Sequence, residues 1–299
     1  MKNRPSLDLQ SPLFAWGLVV LLTLIWGSTF FMVKKALEVY NPLEVFAVRA
    51  FVASLVLAPF SFKGLNKISK RAWWGIAAFA LTATLSPPIL YAMAQTQISS
   101  SMTGILNAAT PLMTLVIGGW FFGQRMLKNQ WLGLILGMIG TTYLVIGDGV
   151  DGLFSINWYA MLAILATVCN GFSGNVLKFR LGNVPAAQIA GLSFWLVFPI
   201  ALGVLLYFGV PGRILAGGGI LTATGYLVFL GIFANALAIV LVSKLIQVRG
   251  PIFASLITYT IPVVALFWGW LDNETITWDQ LVAAAGIILS IWIVNRSGD

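Results

Sequence analysis

Within long apolar runs this chain places one arginine, Arg49, and five uncharged hydrogen-bonding residues: Asn107, Thr110, Asn170, Asn175 and Asn235. Such groups are costly away from water, so each is a candidate either for contacting a ligand or for linking helices. Arg49 lies roughly 10 Å into its run at 1.5 Å per residue. There it would receive a substrate carboxylate, pair at a gate, or cap carbonyls and fix packing. Trp26 with Ser28 and Thr29, together with Tyr91, Trp195 and Tyr259, would make the surroundings aromatic and weakly polar. These residue types do not add up to catalytic machinery. Gly171-Phe172-Ser173-Gly174 looks like the serine motif of intramembrane proteases, but a serine nucleophile needs a base, and the chain has no histidine. Gly147, Gly149 and Gly152 spell G-x-G-x-x-G, yet that signal needs a preceding strand, and Asp148 and Asp151 would repel a pyrophosphate. No Walker A sequence is present. We expect no enzyme activity, no metal and no cofactor.

The elements that carry these groups follow from composition. Of 299 residues, 59% are apolar and 9% charged, with a mean hydropathy of +0.94. Soluble domains are about 45–50% apolar and about 25% charged. Membrane spans need about 20 apolar residues each, and ten are expected: Leu13–Val33, Pro42–Phe62, Ala72–Met93, Ser99–Gly123, Trp131–Gly147, Ile156–Leu177, Pro185–Tyr207, Gly218–Ser243, Pro251–Leu271 and Ile276–Val294. The runs are continuous rather than alternating, which excludes a membrane β-barrel. The expected organisation is a tail at 1–12, a first five-helix repeat at 13–147, a linker at 148–155, a second repeat at 156–294 and a tail at 295–299. Too little chain remains for a soluble domain.

A net charge of +8 would fit nucleic acid only on the basic face of a soluble fold, and here the basic residues are scattered in short loops. With both termini cytoplasmic, Lys2, Arg4, Lys63, Lys67, Lys70, Arg71, Arg125, Lys128, Lys178, Arg180, Lys244, Arg249 and Arg296 fall inside, as the positive-inside rule requires. The acids Glu38, Glu44, Asp148, Asp151, Asp272, Glu274 and Asp279 gather outside. Most tryptophans lie near span ends, as an interfacial belt requires; Trp26 and Trp195 lie deep. The one cysteine, Cys169, cannot form an internal disulfide. Leu13–Val33 is longer than the apolar region of a cleavable signal, so it is expected to remain as the first span in a bacterial inner membrane.

The two halves match weakly at consistent offsets. Pro42 and Pro185 are 143 residues apart, Gly27 and Gly171 are 144 apart, and Pro111 and Pro262, like Gly118 and Gly269, are 151 apart. Trp120, Gln124 and Gln130 match Trp270, Glu274 and Gln280 at an offset of 150. Five spans per half would turn the second copy upside down, an architecture of secondary transporters with a site near the midplane.

The chain also resembles the drug/metabolite transporter superfamily in its EamA-type ten-helix branch. The resemblance rests on Trp26-Gly27-Ser28-Thr29-Phe30, Pro42 with Arg49, Thr110-Pro111, Gly123-Gln124, and Arg249-Gly250-Pro251 through Ala254-Ser255, Tyr259 and Pro262-Val263 to Asn273-Glu274 and Gln280. Gln124 stands where members usually carry an acid. The resemblance implies spans one to four and six to nine around a central cavity, spans five and ten peripheral, and alternating access.

The expected activity is export of small amphipathic metabolites, amino acids or related compounds. Cationic drugs or nucleosides as cargo, or a non-saturable channel, are the alternatives. Trp26, Ser28, Thr29, Tyr91, Asn107, Thr110, Asn170, Asn175, Trp195, Asn235 and Tyr259 are the candidate substrate contacts, and Arg49, Glu44 and Glu274 the candidate gating groups. Pro88, Pro111 and Pro262 are candidate hinges, because proline removes a backbone hydrogen bond in mid-span. The titratable acids lie at outer helix ends, which points to a facilitator or exchanger, with proton coupling as the lesser reading. The partners expected are a small solute and the lipid bilayer. Gly133 and Gly137 form G-x-x-x-G, which fits a homodimer contact and internal packing equally.

Overall fold

The computed structural model describes residues 12–62, 68–124, 127–146 and 157–295. Most of the expected tails, the 148–155 linker, the Gly147, Gly149 and Gly152 run, and Lys63, Lys67 and Arg125 lie outside the described residues. Among the described residues the chain is all-helical, without strands. The helices are α1 (Pro12–Ala36), α2 (Pro42–Ser61), α3 (Lys70–Phe79), α4 (Ser86–Ala94), α5 (Ser100–Asn107), α6 (Thr110–Phe122), α7 (Lys128–Ile146), α8 (Trp158–Arg180), α9 (Ala186–Tyr207), α10 (Val210–Leu215), α11 (Ile220–Phe229), α12 (Ala238–Leu271) and α13 (Trp278–Asn295). A π-helical stretch, Ala80–Leu85, joins α3 to α4, and a second, Leu230–Leu237, joins α11 to α12. Seven segments among the described residues are long and apolar enough to cross a bilayer, with shorter apolar helices at Ile257–Leu271 and Trp278–Ser290. The protein is therefore a polytopic membrane protein.

Local chemistry explains the helix ends. Asn41 accepts hydrogen bonds from the amides of Leu43 and Glu44 at 3.0 Å, and Glu44 accepts from the Asn41 amide at 2.7 Å. This capping box satisfies donors that the first turn of a helix leaves orphaned. Ser69, Ser99 and Asn157 cap α3, α5 and α8 with their side-chain oxygens alone. Pro87 and Pro88 offer no amide to the carbonyls one turn earlier, and the widened turns of 80–85 lie just before them. At Pro111 the chain breaks between α5 and α6, whereas helix α12 runs across the buried Pro262 without interruption.

The packing pairs exchange between the halves. Helix α1 lies parallel to the end of α12, with Thr23 against Thr260 and Trp268 donating to Ser28. Helix α8 lies parallel to α6 in the same manner, with Asn175 donating to the Thr114 carbonyl and Phe122 stacked on Phe179. A Cβ on Gly27 would stand 2.5 Å from that of Val264, and one on Gly171 would stand 3.1 Å from that of Met113. Those positions correspond at offsets of 144 and 151, so the same close approach is built twice. The other two prominent pairs, α2 with α9 and α7 with α13, run antiparallel. Gly137 of α7 faces Leu112 and Ser290 within the chain. The stretch before α12 pairs with α2 and the end of α12 with α1: Thr224 of α11 and Asn235 of the second π-helical stretch meet Tyr40 and Arg49, while Thr260 and Trp268 of α12 meet Thr23 and Ser28.

Candidate central cavity

One end of the bundle carries Glu38, Glu44, Asp272 and Glu274; the other carries Lys70, Arg71, Lys178, Arg180, Lys244 and Arg249. Between them lies a cavity of about 710 Å³, within the range of small-molecule sites of about 300–1,000 Å³. Both halves line it. Trp26, Thr29, Arg49, Pro88, Tyr91, Asn107, Thr110 and Pro111 come from the first, and Asn170, Asn175 and Asn235 from the second. Toward the basic end the wall reaches Gln124, Gln130 and the exposed Lys178.

Each polar group is held by a neighbouring element. The Trp26 indole donates to the Ala234 carbonyl at 3.0 Å, inside the π-helical stretch, where widened turns leave carbonyls weakly satisfied. The Arg49 guanidinium is buried and donates from Nη2 to the Asn235 side-chain oxygen at 2.8 Å, while its Nε–H has no partner. Opposite, the Tyr91 hydroxyl donates to Asn107 Oδ1 at 2.7 Å, and Asn170 Nδ2 approaches the same hydroxyl at 3.4 Å. The Asn107 carbonyl would bond the amide that Pro111 lacks; the Thr110 hydroxyl donates to it instead, at 2.7 Å. Asn175 donates to the carbonyls of Thr114 and Gly171 at 2.8 and 2.9 Å and so ties α8 to α6, with its own Oδ1 left unpaired. The wall contains no carboxylate among the described residues.

The acid-rich end is closed by a layer of polar contacts. Glu274 accepts from the amides of Ser100 and Ser101 at 2.8 and 3.0 Å and from the Ser101 hydroxyl at 2.6 Å. Lys34 donates to the carbonyls of Gln95 and Ile98, and Gln95 donates to the Phe30 carbonyl. Lys35 bridges Asp272 and Glu38. Glu44, besides its capping role, pairs with Arg213.

The EamA-like transporter family matches residues 13–146 and again residues 157–296. The chain belongs to the EamA-like transporter family. It is 28% identical to a protein named "uncharacterized inner membrane transporter YedA" of Escherichia coli K12, over 99% of this chain and 93% of that protein. Protein PecM of Dickeya dadantii is 24% identical over 91% of this chain and 89% of its own length. A solved crystal structure with 16% identity superposes with a TM-score of 0.61, covering 97% of this chain and 100% of the other, and shows the same fold.

In this EamA-like transporter three of the expected contact residues stand away from the cavity wall. Ser28 donates to the Leu24 carbonyl and accepts from Trp268, whose ring stacks on Phe31. Trp195 packs against Phe62 and Phe198, with ring centroids 5.0 and 4.9 Å away. Tyr259 packs against the buried apolar cluster around Ile105 and Leu112. Pro262 is likewise off the wall. Lys34, Gln95 and Ser101 carry much of the closure and were not singled out from sequence. Lys34 resembles any basic residue at a span end, and Gln95 falls just beyond the expected limit of its span. At the basic end Gln124 abuts Gly118 and Asn175, as Glu274 abuts Gly269 and Ser101 at the acid-rich end. The repeat offset carries this correspondence. Among the described residues no three metal-ligating side chains cluster.

Proposed function

We propose that this protein is a secondary transporter of ten spans in two inverted five-helix repeats, with both termini in the cytoplasm of a bacterium. It exports small amphipathic metabolites, amino acids or related compounds, by alternating access. The observation that carries this reading is the roughly 710 Å³ cavity shared by the two halves, closed at the acid-rich end and reaching the exposed Lys178 at the basic end. The positive-inside rule places the basic end in the cytoplasm, so this conformation is the one that loads cargo from inside. Exchange of the packing pairs between halves supports a rocking motion of one repeat against the other, in which the Glu274 contacts release as the basic end closes.

Transport runs by facilitation or exchange, since no carboxylate lines the described wall to carry a proton. Counterflow of a labelled panel of amino acids and related carboxylates in proteoliposomes tests the reading. A carrier gives saturable, trans-stimulated uptake of one solute class, which Trp26→Ala and Asn107→Ala remove. Flux that rises linearly with concentration overturns it in favour of a channel.

A further inference from the structure

We infer that the cargo of this cavity is a monoanion, a single carboxylate on an apolar body, whose charge is received by Arg49; this rests on the carrier reading above and narrows its cargo from amino acids to the related compounds that lack an ammonium group. Arg49 is 6% exposed, and among the described residues its one hydrogen-bond partner is the neutral amide of Asn235. A buried cation is ordinarily matched by an anion, because the lost hydration must be replaced. None of the chain's own described carboxylates supplies that match. Glu44 is committed to Arg213 and the Asn41 amide, Glu38 and Asp272 to Lys35, Glu274 to Ser100 and Ser101, and Asp279 to the Tyr143 hydroxyl. Arg49 lines the cavity, and its buried Nε–H has no partner. An incoming carboxylate completes it with charge-assisted hydrogen bonds, the geometry for which arginine is suited.

The rest of the wall sets the sign and number of charges. One buried guanidinium matches one negative charge, which favours a carboxylate over a phosphate dianion. A zwitterion would bring an ammonium group into a wall without a carboxylate. Asn107 Oδ1 already accepts from Tyr91, and the unpaired Asn175 Oδ1 is a neutral acceptor without the charge that an ammonium requires. Trp26, Phe30, Phe79 and Ile239 offer apolar surface to the body of the solute. At the mouth, Lys178 raises the local concentration of anions rather than cations. The acidic far rim is closed off from this cavity by the Glu274 and Lys34 contacts.

The test uses four probes of one shape on the full-length purified protein: phenylacetate, phenylalanine, phenethylamine and phenylacetamide. Each is titrated while thermal unfolding is followed. Phenylacetate is expected to stabilise at about tenfold lower concentration than the other three, the size of one charge-assisted pair. Arg49→Gln should abolish that preference, and Arg49→Lys should weaken it. Asn235→Asp guards against misfolding, since it keeps the shape and places an internal carboxylate beside Arg49; it too should abolish the preference. Equal or tighter binding of phenylalanine or phenethylamine, binding of none of the four, or a preference that survives Asn235→Asp overturns the inference. Phenylacetate that binds but shows no saturable counterflow in proteoliposomes overturns the carrier reading and leaves the anion site standing.

Discussion

Glu274 receives the Ser101 hydroxyl at 2.6 Å and the Ser101 amide at 3.0 Å, which fastens the turn after α12 to the first turn of α5. Amides in a helix's first turn have no intrahelical acceptor, and a carboxylate there also meets the positive end of the helix dipole. Hydrogen exchange at Ser100 and Ser101 therefore reports this closure directly. Glu274→Ala should raise it about tenfold, the equivalent of about 1.5 kcal/mol for a hydrogen bond to a charged group. Glu274→Gln should fall between. Unchanged exchange in Glu274→Ala would contradict the closure.

The same contacts set a pH dependence. Burial pushes the Glu274 carboxyl up, but the Ser101 hydroxyl and the amides of Ser101 and Ser100 more than offset this and hold it below the ordinary 4.5. A depressed carboxyl stabilises the closed end fully above its ordinary value, and the contribution is lost as pH falls through the lower value in the closed state. Protection of Ser100 and Ser101, corrected for intrinsic exchange, should stay flat from neutral pH down to about the ordinary carboxylate value and drop below it. Glu274→Gln should show no such step. A step near neutral pH would refute the assignment.

Close helix approach gives a stability prediction. A Cβ at Gly171 would stand 2.7 and 2.8 Å from backbone atoms of Thr114 and Met113, which cannot rotate aside, whereas at Gly17 it would meet nothing within 4 Å. Overpacking of this kind costs about 1–3 kcal/mol. Gly171→Ala should lower the unfolding temperature in detergent, and Gly17→Ala should leave it unchanged. Equal effects would show that the α6–α8 contact is not the tight one.

The Tyr91 hydroxyl links α4 to Asn107 and Asn170 across the cavity. Tyr91→Phe keeps the edge-on ring contact with Phe30 and removes only the donor, a loss of about 1 kcal/mol. Half-saturation for transport should rise about fivefold with the unfolding temperature nearly unchanged. A change in stability alone would make the hydroxyl a helix link rather than part of the site.

Much of this was legible in the sequence because the bilayer makes few solutions available. Apolar runs gave the helical segments. Pro42 opened an expected span, and the structure starts α2 there behind an Asn41–Glu44 capping box. Of the candidate hinges, Pro111 lies in the first turn of α6, just after the interruption that follows α5, whereas α12 runs uninterrupted across Pro262. Polarity at depth pointed to Arg49, Asn107, Asn170 and Asn235, all of which line the cavity. What remained hidden depends on helix rotation, which apolar runs do not encode: Trp195 and Tyr259 are as aromatic as Trp26 and Tyr91 but face other helices. The π-helical stretches were equally hidden, and the second of them presents the Ala234 carbonyl and Asn235 to the cavity. Pairings such as Lys34 with Gln95 join residues 61 apart, and nothing local in either segment signals them.

Alternating access requires that the cavity open to one face at a time. Ala83, on the cavity wall, tests it as Ala83→Cys in a Cys169→Ala background, probed with a membrane-impermeant thiol reagent on right-side-out and inside-out vesicles. Labelling is expected from the basic face, with a reciprocal change in Glu274→Ala: access from the acid-rich face rises as access from the basic face falls. Labelling from both faces that rises together would make this a pore and rule out alternating access.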